Sequence, residues 1–406
     1  MGNHKSKLKL RRLLRKKPVL LAAIAAAAVL ILAASAVIFL MPGEETPPSP
    51  ADSPDKTVIH LLAGGDLNVT DRTVAAGQTD SGYDFTQVFL DVAPLLAQAQ
   101  ATVLNFEGNL CGSPYGSFTA SAPISLVQTL ADCGVDFLQS ANSFSVKNGI
   151  LGLKETLSAI RSTKIEPLGA FDSNAAFSKT QGFTLKNIGG IRVAIVAFTK
   201  GMDGMGLPAG SEKNVNLLYS DYTTTYKKID TAGITSILED VNAAAPDVTI
   251  ALLHWGSEGS TTISPTQKKI VRLLQQNGVD AIIGTHSHQV QTIEFSPETG
   301  LLTAYSLGDF FGDALSSGTQ YSILLDLEIT KDNITGNTAV TGFTPIALYT
   351  LTPERDGSPM RVMQISSAMA QFEAGHMNAV PAATYENMKS ALVQIQTRIT
   401  PPDPEE

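Results

Sequence analysis

At 406 residues the chain has room for one large domain or two. With 43% hydrophobic residues, 33 glycines and 21 prolines it can build a core, which excludes the collagen-like and wholly disordered classes. The net charge of −9 hides a split: residues 1–17 carry eight Lys or Arg and no acid, leaving 21 basic against 38 acidic residues beyond them. An acidic main body excludes general nucleic-acid binding, which needs basic surface.

The basic segment at 1–18 leads into Val19–Met41, 23 residues without a charge. About 20 apolar residues cross the hydrocarbon layer, and cleaved signal peptides have shorter apolar runs of about 7–15. The stretch therefore reads as a single-pass transmembrane signal anchor in the cell membrane. The small-residue run Ala34-Ser35-Ala36 leaves a cleaved signal as the alternative. The basic flank stays cytoplasmic, so everything after Pro42 is expected outside. A Pro-rich linker fills 42–56, with four prolines in Gly43–Lys56.

The folded body opens with a β-rich run, Thr57–Ala63, which ends in Gly64-Gly65-Asp66. The apolar spacing predicts a helix over Tyr83–Gln98. A strand over Ala101–Leu104 ends in Asn105-Phe106-Glu107. A helix over Ser125–Cys133 precedes a strand, Val135–Leu138, that ends in Ala141-Asn142-Ser143. Helix Gly149–Arg161, strand Ile191–Phe198 and helix Asp230–Ala244 follow. The strand over 247–253 stops at His254. Ser264-Pro265 reads as an N-cap with proline at the first helical position, and Asn277-Gly278 as the C-terminal signal. A strand over 279–283 runs into Gly284-Thr285-His286-Ser287-His288, where Gly284 would permit the turn. Leu301–Leu307 and Ser322–Ile329 read as later strands. Residues 351–406 hold one helix, Tyr385–Arg398, and a Pro/Glu tail. Cys111 and Cys133 are a pair or two free thiols; spacing leaves both open.

Strands alternating with helices indicate a mixed α/β architecture, in which ligands bind beyond the carboxyl ends of the strands. Asp66, Glu107, Asn142, His254, His286 and His288 all fall at such ends. One shared polar site accounts for them better than scattered loop residues. Carboxylate, amide and imidazole donors suit Mn, Fe or Zn rather than Ca, and their number suffices for one or two ions. Glu258, four residues after His254, is a candidate orienting group or general acid, with a solvated loop glutamate as the plain alternative.

Five segments together resemble the motifs of the CapA family, in order and spacing, across about residues 57–350: Gly65-Asp66, Asn105-Phe106-Glu107, His254–Glu258, Gly284–Glu294 and Tyr305–Phe310. That family is associated with poly-γ-glutamate capsule synthesis and resembles calcineurin-like metallophosphatases. The resemblance implies a four-layer α/β/β/α sandwich over 57–350, with Asp66, Asn105, Glu107, Asn142, His254, His286 and His288 as metal ligands. It also implies an envelope polymer as partner, either poly-γ-glutamate or a peptidoglycan-linked substrate, and membrane synthase partners.

The sequence departs from the family pattern in the third motif. The family reads Ala-Asn-Asn-His with an aspartate three residues on; here it is Ala141-Asn142-Ser143-Phe144 with Lys147. The metal-bridging amide has become Ser143. The proton-donating imidazole has become Phe144, which cannot donate a hydrogen bond. Lys147, pointing inward, would oppose a cation. The proline between the paired histidines is Ser287. The family's Ser-Leu-Gly-Asn has become Ser306-Leu307-Gly308-Asp309, which offers Asp309 as a compensating ligand or catalytic group. Two readings follow: a metal-dependent hydrolase or transferase acting on a phosphoester or amide, and a degenerate member that binds a polymer or partner without turnover.

Overall fold

The computed structural model describes residues 55–401. In chain order the main strands are β1 (Lys56–Asn68), β2 (Ala101–Glu107), β3 (Phe137–Gln139), β4 (Glu166–Leu168), β5 (Phe183–Ile188), β6 (Ile191–Thr199) and β7 (Val248–His254). They continue with β8 (Ala281–Thr285), β9 (Ile293–Ser296), β10 (Leu301–Ala304), β11 (Asp309–Phe311), β12 (Tyr321–Asp332), β13 (Thr338–Leu351) and β14 (Arg361–Gln364). One sheet has the order β14-β13-β12-β1-β2-β3-β4, with β11 also paired to β1; the other has the order β9-β10-β8-β7-β6-β5. The strands β1, β2, β3 and β4 run parallel, as do β6, β7, β8 and β10.

The central strands are apolar on both faces, which forces a layer on each side. Ile59, Leu61 and Ala63 of β1 join Val193 and Ile195 of β6, Ile250 and Leu252 of β7 and Ile283 of β8 in one buried cluster between the sheets. The alternate residues face outward. Leu62 and Leu104 pack with Leu126, Val127 and Leu130 of helix Ile124–Asp132, whereas Val196, Phe198 and Leu253 pack with residues of helices Thr231–Ala243 and Pro265–Gln276. The result is an α/β/β/α stack.

Two strand entries repeat one device. Gly134-Val135-Asp136 and Gly278-Val279-Asp280 precede β3 and β8. Each glycine takes positive φ, 96° and 87°, and each valine is buried. Each aspartate accepts a hydrogen bond at 2.8 Å from the neighbouring strand, at Thr102 N and Thr249 N. The N-cap expected at Ser264 is present and is reciprocal: Ser264 Oγ accepts from Gln267 N at 3.2 Å and Gln267 Oε1 accepts from Ser264 N at 2.9 Å.

Several expectations are corrected. The helix at Tyr83–Gln98 is two short ones, Thr86–Phe89 and Ala93–Leu96, because Pro94 cannot sit in a helix interior. The strand at Leu301–Leu307 ends at Ala304; the chain turns through Gly308 (φ 77°) and crosses to the other sheet as β11, where Asp309 lies beside Asp66. The C-terminal helix spans Ala382–Ile399, and β13, β14 and helix Ile365–Glu373 are additions to the expected set. Met369, Met388, Ala391 and Ile395 of the last two helices belong to the inter-sheet core. Cys111 and Cys133 are free thiols. The expected anchor at 19–41 and residues 42–54 of the linker lie outside the described residues; among the described residues no helix is long and apolar enough to cross a membrane.

Candidate metal centre

The carboxyl ends of β1, β2, β7 and β8 meet at one place. Asp66 and Glu107 arrive on β1 and β2, whose register pairs Asp66 with Asn105. His254 arrives at the end of β7, opposite Thr285 of β8. His286 and His288 follow β8, and Asp309 opens β11. Gly284 does not make the turn. His286 and His288 themselves take positive φ, 87° and 58°, a strained backbone typical of functional sites. Gly284 is needed for space instead: a Cβ there would lie 2.0 Å from Tyr305 O and 2.4 Å from Trp255 Nε1.

The side chains converge tightly. Asp66 Oδ1 accepts from Asn105 Nδ2 at 2.6 Å, and Asp66 Oδ2 accepts from His286 N at 2.9 Å. His254 Nε2 lies 2.9 Å from Glu107 Oε1 and 3.0 Å from Ser143 Oγ. His288 Nδ1 lies 2.8 Å from Asp309 Oδ1 and 3.7 Å from Asp66 Oδ2. Asn68 Nδ2 donates to the same Asp309 oxygen at 2.9 Å. The His254 and His286 ring centroids are 4.4 Å apart.

Not every expected ligand faces the cluster. Asn142 Nδ2 donates to Phe106 O at 2.6 Å and its Oδ1 accepts from Phe144 N at 3.0 Å, so its amide holds backbone together behind the site. Asn105 bridges Asp66 to His254, with Nδ2 3.3 Å from His254 Nδ1. Glu258 is exposed at the rim. Lys147 is exposed and does not point inward, which removes the expected competition with a cation. Ser143 is buried against His254, and Phe144 lines the cleft.

Burial sets the electrostatics. It pushes Asp66 up to about 7, with the Glu107 charge adding to the rise, and it pushes Glu107 up to about 7 as well. Burial also raises Asp309 and lowers His254 to about 3. At His288 burial opposes the cation, but Asp309, Glu107 and Asp66 together hold the ring well above its ordinary value. The signs follow for the metal-free chain. Asp66 and Glu107 favour folding below about pH 4 and lose that contribution as pH rises through about 7; His254 loses its contribution as pH falls below its ordinary value. A bound cation would relieve the carboxylates at neutral pH.

The donor set fits such an ion. Asp66, Glu107, Asp309, His254, His286, His288 and the rim residue Glu258 form three overlapping groups: Glu107–His254–His286, Glu258–His286–His288 and Asp66–His288–Asp309. In each, three donor atoms lie within 4.8 Å of one another. Oxygen and imidazole nitrogen donors of this kind suit Mn, Fe or Zn. The cluster opens into a cleft of about 530 Å³ lined by Asn68, Glu107, Phe144, Glu258, His288 and Asp309 among others.

Two packed sheets with carboxylates and imidazoles gathered at their strand ends define an α/β protein with a candidate metal site. The profile of the bacterial capsule synthesis protein family PGA_cap matches residues 60–314, and the chain belongs to that family. It is 24% identical over 287 residues to the capsule biosynthesis protein CapA of Bacillus anthracis, covering 69% of this chain and 64% of that protein. It is 28% identical over 227 residues to the PGA biosynthesis protein CapA of Bacillus subtilis, covering 56% of this chain and 54% of the relative. The match therefore spans less than two thirds of each relative. Among solved structures, the calcineurin-like phosphoesterase YfkN of Bacillus subtilis is similar at TM-score 0.43 and 15% identity, covering 84% of this chain and 99% of that one.

Sequence reasoning missed two residues of the site. Asn68 had a signal, since it stands two residues after Asp66 on the same strand face. Lys200 had only a weak one: it directly follows the buried end of β6, one residue after Thr199.

Proposed function

We propose that the chain is a metal-binding member of its family that handles an envelope polymer, such as poly-γ-glutamate, in the cleft above the cluster, with slow hydrolysis or none. The observation that carries this reading is the pairing of a buried three-carboxylate, three-histidine cluster with Phe144 at its mouth. A bound Mn, Fe or Zn ion would polarise a phosphoryl or carbonyl oxygen and activate water. Asp66, His288 and Asp309 would hold it, with Asn68 fixing the Asp309 carboxylate. Glu107 and Ser143 would keep His254 in place. Phe144 presents no proton to a leaving group. Glu258, at the rim, is a carboxyl lining the same cleft that could do so, as could Asp309, and the hydrolase alternative rests on them. The test is Mn²⁺-dependent turnover of a generic phosphodiester, in which the wild type is expected to be barely active. Turnover at the rate of a restored active site would overturn the reading.

The same proposal places the protein on the outer side of the cell membrane, held by residues 19–41 and near membrane-bound synthase partners. Its support is the uncharged 23-residue span behind eight basic residues. The intact chain is expected in the membrane fraction, cut by protease added from outside. Recovery of a soluble chain beginning near residue 37 would show a cleaved signal instead.

A further inference from the structure

Gln289 directly follows His288 in the loop that leaves β8. Its backbone is closed on Ser287, whose Oγ accepts from Gln289 N at 3.2 Å and donates to Gln289 O at 2.9 Å. Its side chain is buried and engaged at both ends. Nε2 donates at 3.1 Å to Ser317 O, in the segment whose Ser316 and Thr319 line the cleft. Oε1 accepts from Arg398 Nη1 at 2.7 Å. Gly318 leaves room for that bond: a Cβ there would lie 2.1 Å from Gln289 Oε1 and 3.1 Å from Arg398 Nη1. Arg398 is half-buried, with its guanidinium carbon 5.3 Å from the centroid of the Tyr321 ring at the start of β12. The helix Ala382–Ile399 that carries it is fixed from behind, since Met388, Ala391, Ile395 and Ile399 sit in the inter-sheet core.

The backbone of His288 stands at φ 58°, which costs energy in a residue other than glycine and persists only where the surroundings impose it. The anchored Gln289 is the neighbour that can impose it. We propose that Arg398 is a positioning residue for the metal centre: through Gln289 it holds His288 against Asp66 and Asp309. The inference rests on the metal-binding reading and extends the site to a residue 109 positions further along the chain. Arg398 has no lone pair to offer an ion and acts only on where the imidazole stands. Charge and position have opposite signs here, which separates them. A guanidinium repels a nearby cation, so its charge alone weakens metal binding, and removing it would tighten binding. A positioning role predicts the reverse, because groups that orient a metal ligand are worth about 10–100-fold in affinity.

The experiment titrates Mn²⁺ into the purified, metal-stripped full chain, follows the electron paramagnetic resonance signal of the free ion to obtain Kd, and melts each metal-free protein. Arg398→Met is expected to bind Mn²⁺ about 10-fold more weakly than the wild type at a temperature where both are folded. Gln289→Met is expected to lose about as much. The double variant should lose no more than either alone, because both changes break one contact. Arg398→Gln serves as a second neutral variant should the methionine chain misfold. A contact that served stability alone would lower Tm and leave the Kd of the folded protein unchanged. Unchanged or tighter binding in the Arg398 variants, or losses that add in the double variant, overturns the role given to Arg398 while leaving the metal reading intact. A wild type that binds no Mn²⁺ overturns both.

Discussion

Replacing Ser143 with Asn and Phe144 with His together is expected to raise Mn²⁺-dependent phosphodiester turnover by about 10²–10⁴-fold, the usual worth of a positioned general acid. The structure makes the experiment cleaner than the sequence suggested. Ser143 Oγ already lies 3.0 Å from His254 Nε2, so an amide in its place reaches the cluster. Phe144 already lines the cleft, so an imidazole there faces a bound substrate. Lys147 is exposed and needs no companion change. A wild type as fast as the double variant would show that another group, Glu258 or Asp309, already supplies the proton.

Gly284→Ala is expected to cost about 3 kcal/mol, the upper end of the range for overpacking a core. Its Cβ would come within 2.0 Å of the Tyr305 carbonyl oxygen, a backbone atom that cannot swing away. That carbonyl also accepts from Trp255 Nε1 at 3.0 Å, next to His254. Separating β8 from the 305–308 turn would shift His286 and His288 relative to Asp309. Thermal melting is expected to show the loss, and Mn²⁺ should raise the variant's Tm less than the wild type's. An unchanged Tm with full metal response would mean that the close approach is not what positions the histidines.

The sequence allowed the centre of the molecule to be read better than its edges. Ile250–Leu253 and Val193–Phe198 are uninterrupted apolar runs, the pattern of buried strands between two layers. The polar residue at the end of each run then marks the site. β13 was illegible because its first part, Thr338–Ile346, which carries Gly342 and Pro345, extends beyond its pairing with β14, is mostly half-exposed, and has neither alternation nor a continuous apolar stretch. The Tyr83–Gln98 segment misled because its apolar residues are buried as expected, while Pro94 breaks the backbone that would have displayed them on one face. The site residues divide in the same way. His286 and His288 stand out by their spacing. Asn142 looked like a ligand, but its amide is engaged by Phe106 and Phe144, a fact of tertiary contact. Lys147 follows the mixed run Asn142–Val146, and Lys200 follows strand β6. Which one turns inward depends on the Gly256 carbonyl and the His286 ring, more than fifty residues away in the chain.

The C-terminal segment is tied to the site in a way no local pattern reveals. Arg398, near the end of helix Ala382–Ile399, donates to Gln289 Oε1 at 2.7 Å, one residue beyond His288. Gln289 in turn donates to Ser317 O at 3.1 Å. The loop that carries both histidines is therefore clamped by the last helix and by the cleft wall.

The most direct test of the metal centre is the ion content of the purified full chain at two pH values. Asp66 and Glu107 are pushed up to about 7 without an ion, so a metal must displace their protons and binds more weakly as pH falls. At pH 7.5 the chain is expected to retain a stoichiometric transition-metal ion and to gain thermal stability from it. At pH 5.5 both should be lost, and Asp66→Ala should retain no ion at either pH. A chain that holds no transition metal at pH 7.5, or an Asp66→Ala variant that holds as much as the wild type, would contradict the assignment of this cluster as a metal site.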